Sequence, residues 1–300
     1  MLQLRATLLT AIAPIAWGTT YIVTTQLLPD GHPLFASLVR ALPAGLIALA
    51  LARQLPTGAW WWKSLVLGVL NIGAFFPLLF IAAYRLPGGV AATLGAAQPL
   101  IVAVLVVTIL RQSAPWRLVI WGVVGALGVA LVVLRATAQL DTLGLIAGLA
   151  GTASMAVGVT LSKHWGKPPE VSALGYAGWL LTAGGIVLLP ITVFAEGFPS
   201  SLDAPAVAGY AWLGIVGGLV AYTLWFRGIR IVPLTSVAVL GLLSPLTAAA
   251  LGTIILGERF NTLQLIGFAL ALTAIVGAQI PSRSATYSRK RTPVYPAEMV

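Results

Sequence analysis

The chain predicts an all-α polytopic membrane protein: ten transmembrane helices arranged as two inverted five-helix repeats, with both termini cytoplasmic. Three observations carry that prediction: a composition suited to lipid, charge-free windows of membrane-spanning length, and an internal repeat. The sequence is 59% hydrophobic and only 8% charged, with a mean hydropathy of +0.99. Soluble domains carry about 25% charged residues. About 20 apolar residues are needed to cross a hydrocarbon core of about 30 Å, and ten such windows fit into 300 residues.

The charges mark the windows in order. The first lies between Arg5 and Asp30. It is too long for a typical signal-peptide core and has no clear small-residue cleavage site, so it is read as a span. The second, between Asp30 and Arg53, has one interior charge, Arg40. The third to fifth lie between Lys63 and Arg85, Arg85 and Arg111, and Arg117 and Arg135. The sixth to eighth lie between Asp141 and Lys163, Glu170 and Glu196, and Asp203 and Arg227. The ninth runs from Arg230 to Glu258 and the tenth from Arg259 to Arg283. Windows this long and continuously apolar lack the alternation of a barrel wall, and an open sheet would leave backbone groups unpaired in lipid.

Orientation follows from Lys and Arg. With the N-terminus inside, thirteen of the seventeen basic residues fall on the inner face; Arg85, Arg135 and Arg259 fall outside, and Arg40 lies within a span. This bias places both termini in the cytoplasm and accounts for the net charge of +10 without a nucleic-acid partner. The absence of cysteine excludes disulfides, thiolate metal sites and cysteine nucleophiles.

The stretch LGAAQPL, from Leu94 to Leu100, returns as LGLLSPL, from Leu240 to Leu246. The offset is 146 positions, from Pro99 to Pro245, and it also aligns Pro87 with Pro233, Leu105 with Leu251, Leu67-Gly68 with Leu213-Gly214, and Phe80 with Phe226. Two units follow, residues 1–137 and 138–281, then a disordered basic cytoplasmic tail at 282–300. An odd number of spans per unit inverts the second copy, the layout of secondary transporters. Gly95 stands four residues before Pro99, and Gly241 four before Pro245. Each pair removes a helical hydrogen bond at a point that bends cheaply, so it reads as a hinge or as a static packing kink.

These features together resemble a known family. The inverted duplication, Trp17-Gly18 in the first span, Arg40 in the second, the two LGxxxPL elements and the GERF of residues Gly257 to Phe260 are similar to the drug/metabolite transporter superfamily, EamA branch. The resemblance covers Arg5 to about Ile280. The first copy departs from the pattern, with Gln112 where the second has Glu258. Size and aromatic content are similar to aromatic amino-acid exporters of the YddG type. The resemblance implies export across a bacterial-type inner (plasma) membrane.

What is missing narrows the cargo. No Asp, Glu, Lys or His lies deep in a span, and His32 and His164 fall in loops. Organic-cation exporters and carboxylate-based proton antiporters place an acid in the bundle. A catalytic set at membrane depth is also missing, so no enzyme is expected. No cofactor or metal is expected, and no oligomer is required. A neutral, zwitterionic or amphipathic small molecule fits best, with the lipid bilayer as the other partner.

The candidate lining combines polar and aromatic residues of the spans bordering the repeat interface: Trp17, Thr20, Tyr21, Asn71, Phe75, Tyr84, Thr93, Gln98, Thr152, Ser154, Tyr222, Trp225 and Ser244. Aromatic faces can stack on a side chain, and amides and hydroxyls can meet amino and carboxylate groups. Taken singly, each reads first as a helix-packing residue, and it is the set that points to a lining. Trp60, Trp61, Trp62, Trp116, Trp165 and Tyr210 sit near span ends and read as interfacial belts. Arg40 lies about 10 Å deep at 1.5 Å per residue, so it either snorkels toward the headgroups or meets a substrate carboxylate. The expected mechanism is alternating access about the Gly95–Pro99 and Gly241–Pro245 hinges. With no coupling acid, it runs as downhill transport or exchange of neutral and aromatic amino acids; the competing reading is a broad exporter of small neutral metabolites or drugs.

Overall fold

In a membrane chain apolar residues surround most helices on every side, so caps, prolines and breaks define the elements better than amphipathic faces do. The computed structural model describes residues 2–86, 91, 94–113, 116–133, 141–257 and 261–279. Thr93, Pro87, Arg135, Glu258, Arg259 and the 282–300 tail lie outside the described residues.

The described residues form helices joined by short loops, without strands. The first half contains α1 (Leu2–Gly18), α2 (Thr20–Leu27), α3 (Pro33–Ala52), α4 (Trp60–Gly68), a π-helical turn (Val69–Gly73), α5 (Phe75–Arg85), α6 (Gln98–Thr108) and α7 (Trp116–Val133). The second contains α8 (Thr142–Trp165), α9 (Ala173–Ala195), α10 (Ala204–Trp212), a longer π-helical stretch (Leu213–Val220), α11 (Ala221–Ile231), α12 (Leu234–Leu240), α13 (Leu243–Leu256) and α14 (Thr262–Gln279). Seven stretches are long and apolar enough to cross a bilayer: Leu4–Leu27, Pro33–Ala52, Trp60–Arg85, Thr142–Trp165, Ala173–Ala195, Ala204–Ile231 and Leu234–Ile255. Three apolar helices are shorter: Gln98–Thr108, Trp116–Leu131 and Thr262–Ala278. Apolar side chains such as Phe194 and Ile254 stand exposed on the outside of the bundle, as lipid-facing residues must.

The offset of 146 carries α5 (Phe75–Arg85) onto α11 (Ala221–Ile231), and α7 (Trp116–Val133) onto α14 (Thr262–Gln279), end to end. It also carries the first π-helical turn into the second. The helices α3 and α9 pack antiparallel and cap each other. Glu196, just past α9, accepts the Leu34 and Phe35 N–H groups at the start of α3 at 2.8 and 2.7 Å. Gln54, just past α3, accepts the Ser172 N–H at the start of α9 at 2.8 Å. Glu196 thus supplies orphan donors with acceptors and places negative charge at a positive helix end. Glycines hold the pair close: a Cβ on Gly45 would lie 2.5 Å from the Thr182 backbone nitrogen. The helices α7 and α14 form a second antiparallel pair, with Gly128 against Ala271 and Gly277 against Trp121.

The LGxxxPL elements interrupt the α-helical ladder at a tightened turn while Ala97, Gly241 and Leu242 keep right-handed helical dihedrals. α6 begins at Gln98 and α13 at Leu243, after turns at residues 96–97 and 241–242. Four-residue turns bridge the gaps, Ala97 N–H to Leu94 O at 3.2 Å and Leu242 N–H to Val239 O at 3.1 Å. Pro99 and Pro245 consequently sit in the first turn of the helix that follows, where a missing N–H costs nothing. Two smaller expectations change. His164 lies in the last turn of α8. Tyr210 is buried, because it sits on the face of α10 turned toward α3, with its ring edge-on to Phe35 at 5.3 Å.

Candidate functional site

The two LGxxxPL elements converge on a cavity. It is narrow, about 80 Å³, smaller than the ~300–1,000 Å³ of sites that enclose drug-sized ligands. From α1 and α2 it receives Trp17 and Tyr21; from α3, Arg40; from α5, Phe75, Leu79 and Ala82. Gly95 and Gln98 come from the first LGxxxPL element, and Gly241, Ser244 and Pro245 from the second. Gly148, Gly151, Thr152 and Met155 of α8 complete the wall with Ala91.

Each polar group is placed by a local cause. The π-helical stretch after α10 leaves Gly217 O available, and Trp17 Nε1 donates to it at 2.9 Å. Trp17 is further fixed by Tyr222 and Trp225, both at centroid distances of 5.0 Å. Thr152 donates to Gly148 O at 2.8 Å and to Leu94 O at 3.3 Å, tying α8 to the first break.

Arg40 does not snorkel. Its side chain is 1% exposed and lies across the Phe76 ring, with Cζ 4.5 Å from the centroid. Gly217 makes room for it, since a Cβ there would stand 3.3 Å from Nη2, while Gly218 lets the Arg40 backbone approach, a Cβ there lying 2.8 Å from Arg40 O. The guanidinium donates from Nη1 to Thr20 Oγ1 at 3.3 Å and from Nη2 to Gly217 O at 3.4 Å. Both bonds are long, and no carboxylate pairs with it among the described residues. The direction of its side chain, inward toward the gap that Gly217 leaves in the facing segment, is what the count of residues to the membrane surface does not reveal.

A cavity with a buried charge, and with no catalytic set among its described lining residues, invites comparison with known proteins. The profile of the EamA-like transporter family matches residues 4–134 and 142–278. The chain belongs to the EamA-like transporter family. Within it, the chain is 44% identical to Protein PecM of Dickeya dadantii over 89% of its own length and 90% of the relative's. It is 29% identical to a WAT1-related chloroplastic protein of Arabidopsis thaliana, covering 88% of the chain and 67% of that protein. A solved crystal structure superposes with a TM-score of 0.74 at 18% identity, covering 91% of this chain and 97% of the other, a likeness of fold. The protein is therefore a multi-pass membrane transporter of the EamA type, within the drug/metabolite transporter superfamily, and not an enzyme.

In this EamA-like transporter the candidate residues divide into layers. Trp17, Tyr21, Arg40, Phe75, Gln98, Thr152 and Ser244 share the cavity with Gly95, Gly241 and Pro245. Thr20, Tyr222 and Trp225 stand behind them, holding Arg40 or Trp17. Pro99 is buried beside the lining. Asn71 is fully buried and turned away, its amide donating to Leu67 O at 2.9 Å and packed against Gly158. Ser154 donates to Leu70 O at 2.8 Å in the first π-helical turn. Tyr84 reaches Pro29 O at 3.0 Å, far along α5. Leu79, Ala82, Gly148, Gly151 and Met155 were not among the candidates. Helical spacing from Phe75 and Thr152 was the available signal for Leu79, Ala82, Gly148 and Met155, since positions three, four and seven apart share a face, and Gly151 follows only by its spacing of three from Gly148.

Proposed function

We propose that this EamA-like transporter is an inner-membrane carrier that exports amino acids, aromatic and other neutral ones, by alternating access through the Trp17–Arg40–Thr152 cavity. Ten spans in two inverted five-helix units, residues 1–137 and 138–281, with both termini in the cytoplasm, form the framework of this reading. The offset of 146 between matching helices and the antiparallel α3–α9 pair support it. The observation that carries the reading is the cavity itself: aromatic Trp17, Tyr21 and Phe75 surround Arg40, Gln98, Thr152 and Ser244 where both LGxxxPL breaks meet. Rings offer stacking for an aromatic or apolar side chain, and the polar groups offer hydrogen bonds to a small polar head. A cavity of about 80 Å³ must widen to admit such a molecule, and the two breaks are where the walls give. The size and aromatic content shared with YddG-type exporters favour the same cargo.

The apolar stretch of lining, Leu79, Ala82 and Met155, favours a second reading, a broad exporter of small neutral metabolites or drugs. Counterflow in proteoliposomes separates the two. Vesicles are preloaded with unlabelled phenylalanine, tryptophan, threonine or methionine and given the labelled form outside. Protein-dependent accumulation of label supports the amino-acid carrier, and its rate should not respond to imposed proton or sodium gradients. Correctly inserted protein that gives no signal refutes the amino-acid reading and shifts the assignment to the broad exporter.

A further inference from the structure

The unmet polar atoms of the cavity wall are all of one kind. Arg40 Nε and Gln98 Nε2 are buried without partners, and both are donors. The remaining nitrogens of Arg40 reach only Thr20 Oγ1 at 3.3 Å and Gly217 O at 3.4 Å, two neutral acceptors at the far end of hydrogen-bond range. A guanidinium at this depth, 1% exposed, is costly without an opposite charge. The face of Phe76 offsets part of that cost. No acid among the described lining residues supplies the rest.

A ligand that satisfies this wall brings acceptors and a negative charge. A carboxylate is acceptor-only and matches the planar donor fork of arginine. For an ammonium group the described lining holds no Asp or Glu, only neutral acceptors such as Gln98, Thr152 and Ser244 and the faces of Trp17 and Phe75, so the charge that the wall itself supplies is positive. We infer that Arg40, assisted by the Gln98 amide, anchors the carboxylate of the transported molecule, and that the substrate class is an apolar or aromatic monocarboxylate for which the amino group is dispensable. This rests on the reading of the cavity as the transport site, and it separates the acid function of an amino acid from its amine.

Acid–amide pairs test it. The thermal stability of the full-length protein in detergent is measured with tryptophan and tryptophanamide, indole-3-propionate and indole-3-propionamide, and octanoate and octanamide. The acids that bind should raise the midpoint in a saturable way, and their amides should not. In Arg40→Gln the apparent affinity for the acids should fall about tenfold or more, as for one lost charge-assisted hydrogen bond, leaving acid and amide alike. Arg40→Lys should restore part of the preference. If Arg40→Gln does not fold, the wild-type comparison and the lysine variant still decide the matter. Amides as effective as acids, acid preference that survives Arg40→Gln, or no stabilisation by any acid each overturns the proposal. Stabilisation by indole-3-propionate or octanoate without tryptophan would refute the amino-acid reading and sustain this one; equal stabilisation by tryptophan and its amide would do the reverse.

Discussion

Glycine decides how closely these helices approach, and the distances make the consequences specific. A Cβ on Gly45 would meet the backbone nitrogen and the hydroxyl of Thr182, each at 2.5 Å, with no flexible side-chain end to yield. Gly45→Ala should therefore push α3 from α9 and cost about 1–3 kcal/mol, the usual range for overpacking. At Gly214 the nearest atom to an added Cβ is Val39 O at 3.5 Å, an ordinary contact. The melting temperature of the purified protein should fall for Gly45→Ala and stay near wild type for Gly214→Ala; equal effects would contradict the packing account. At this scale the sequence was legible in kind and not in direction. Trp17 and Arg40 stand out as intramembrane residues, but nothing local says that Trp17 reaches Gly217 O, two hundred positions away, or that Asn71 turns from the cavity to bond its own helix. Side-chain direction depends on which helix faces which, and that is a tertiary property.

Both LGxxxPL elements carry a tightened turn, a proline in the first turn of the helix that follows and a glycine at the cavity, and the second also lends the cavity its proline, Pro245. Proline in a helix interior leaves a kinked but continuous rod; in the first turn of a new helix it permits a joint. Replacing Pro99, which is buried beside the lining and not in it, with alanine restores an N–H and favours continuation across the joint. The change should slow counterflow several-fold with little effect on the half-saturating concentration, because the joint moves while the lining stays. A fall in affinity at constant maximal rate would show that Pro99 acts through the binding wall instead. The repeat made both breaks visible in the sequence. The π-helical segments left no such trace: VLNIG and LGIVGGLV contain no residue that demands an extra backbone position, and only packing against Ser154, Trp17 and Arg40 explains the use of their carbonyls.

For the whole molecule, a sequence repeat brings its two LGxxxPL elements to the cavity that α1, α2, α3, α5 and α8 complete, with the α3–α9 and α7–α14 pairs packed around it. The duplication and the apolar windows were readable because lipid forces helices and gene repetition preserves spacing. The reciprocal caps by Gln54 and Glu196 were not, since each lies in a loop with no pattern linking it to the helix it caps. The central claim is that this cavity opens alternately to the two faces of the membrane. The chain contains no cysteine, so Thr152→Cys places a single reporter thiol in the wall. In oriented, sealed proteoliposomes a membrane-impermeant maleimide is added to one face at a time, with and without a counterflow substrate. Labelling from either face, slowed by substrate, is the predicted result. Labelling confined to one face under all conditions, or indifferent to substrate, would contradict the account.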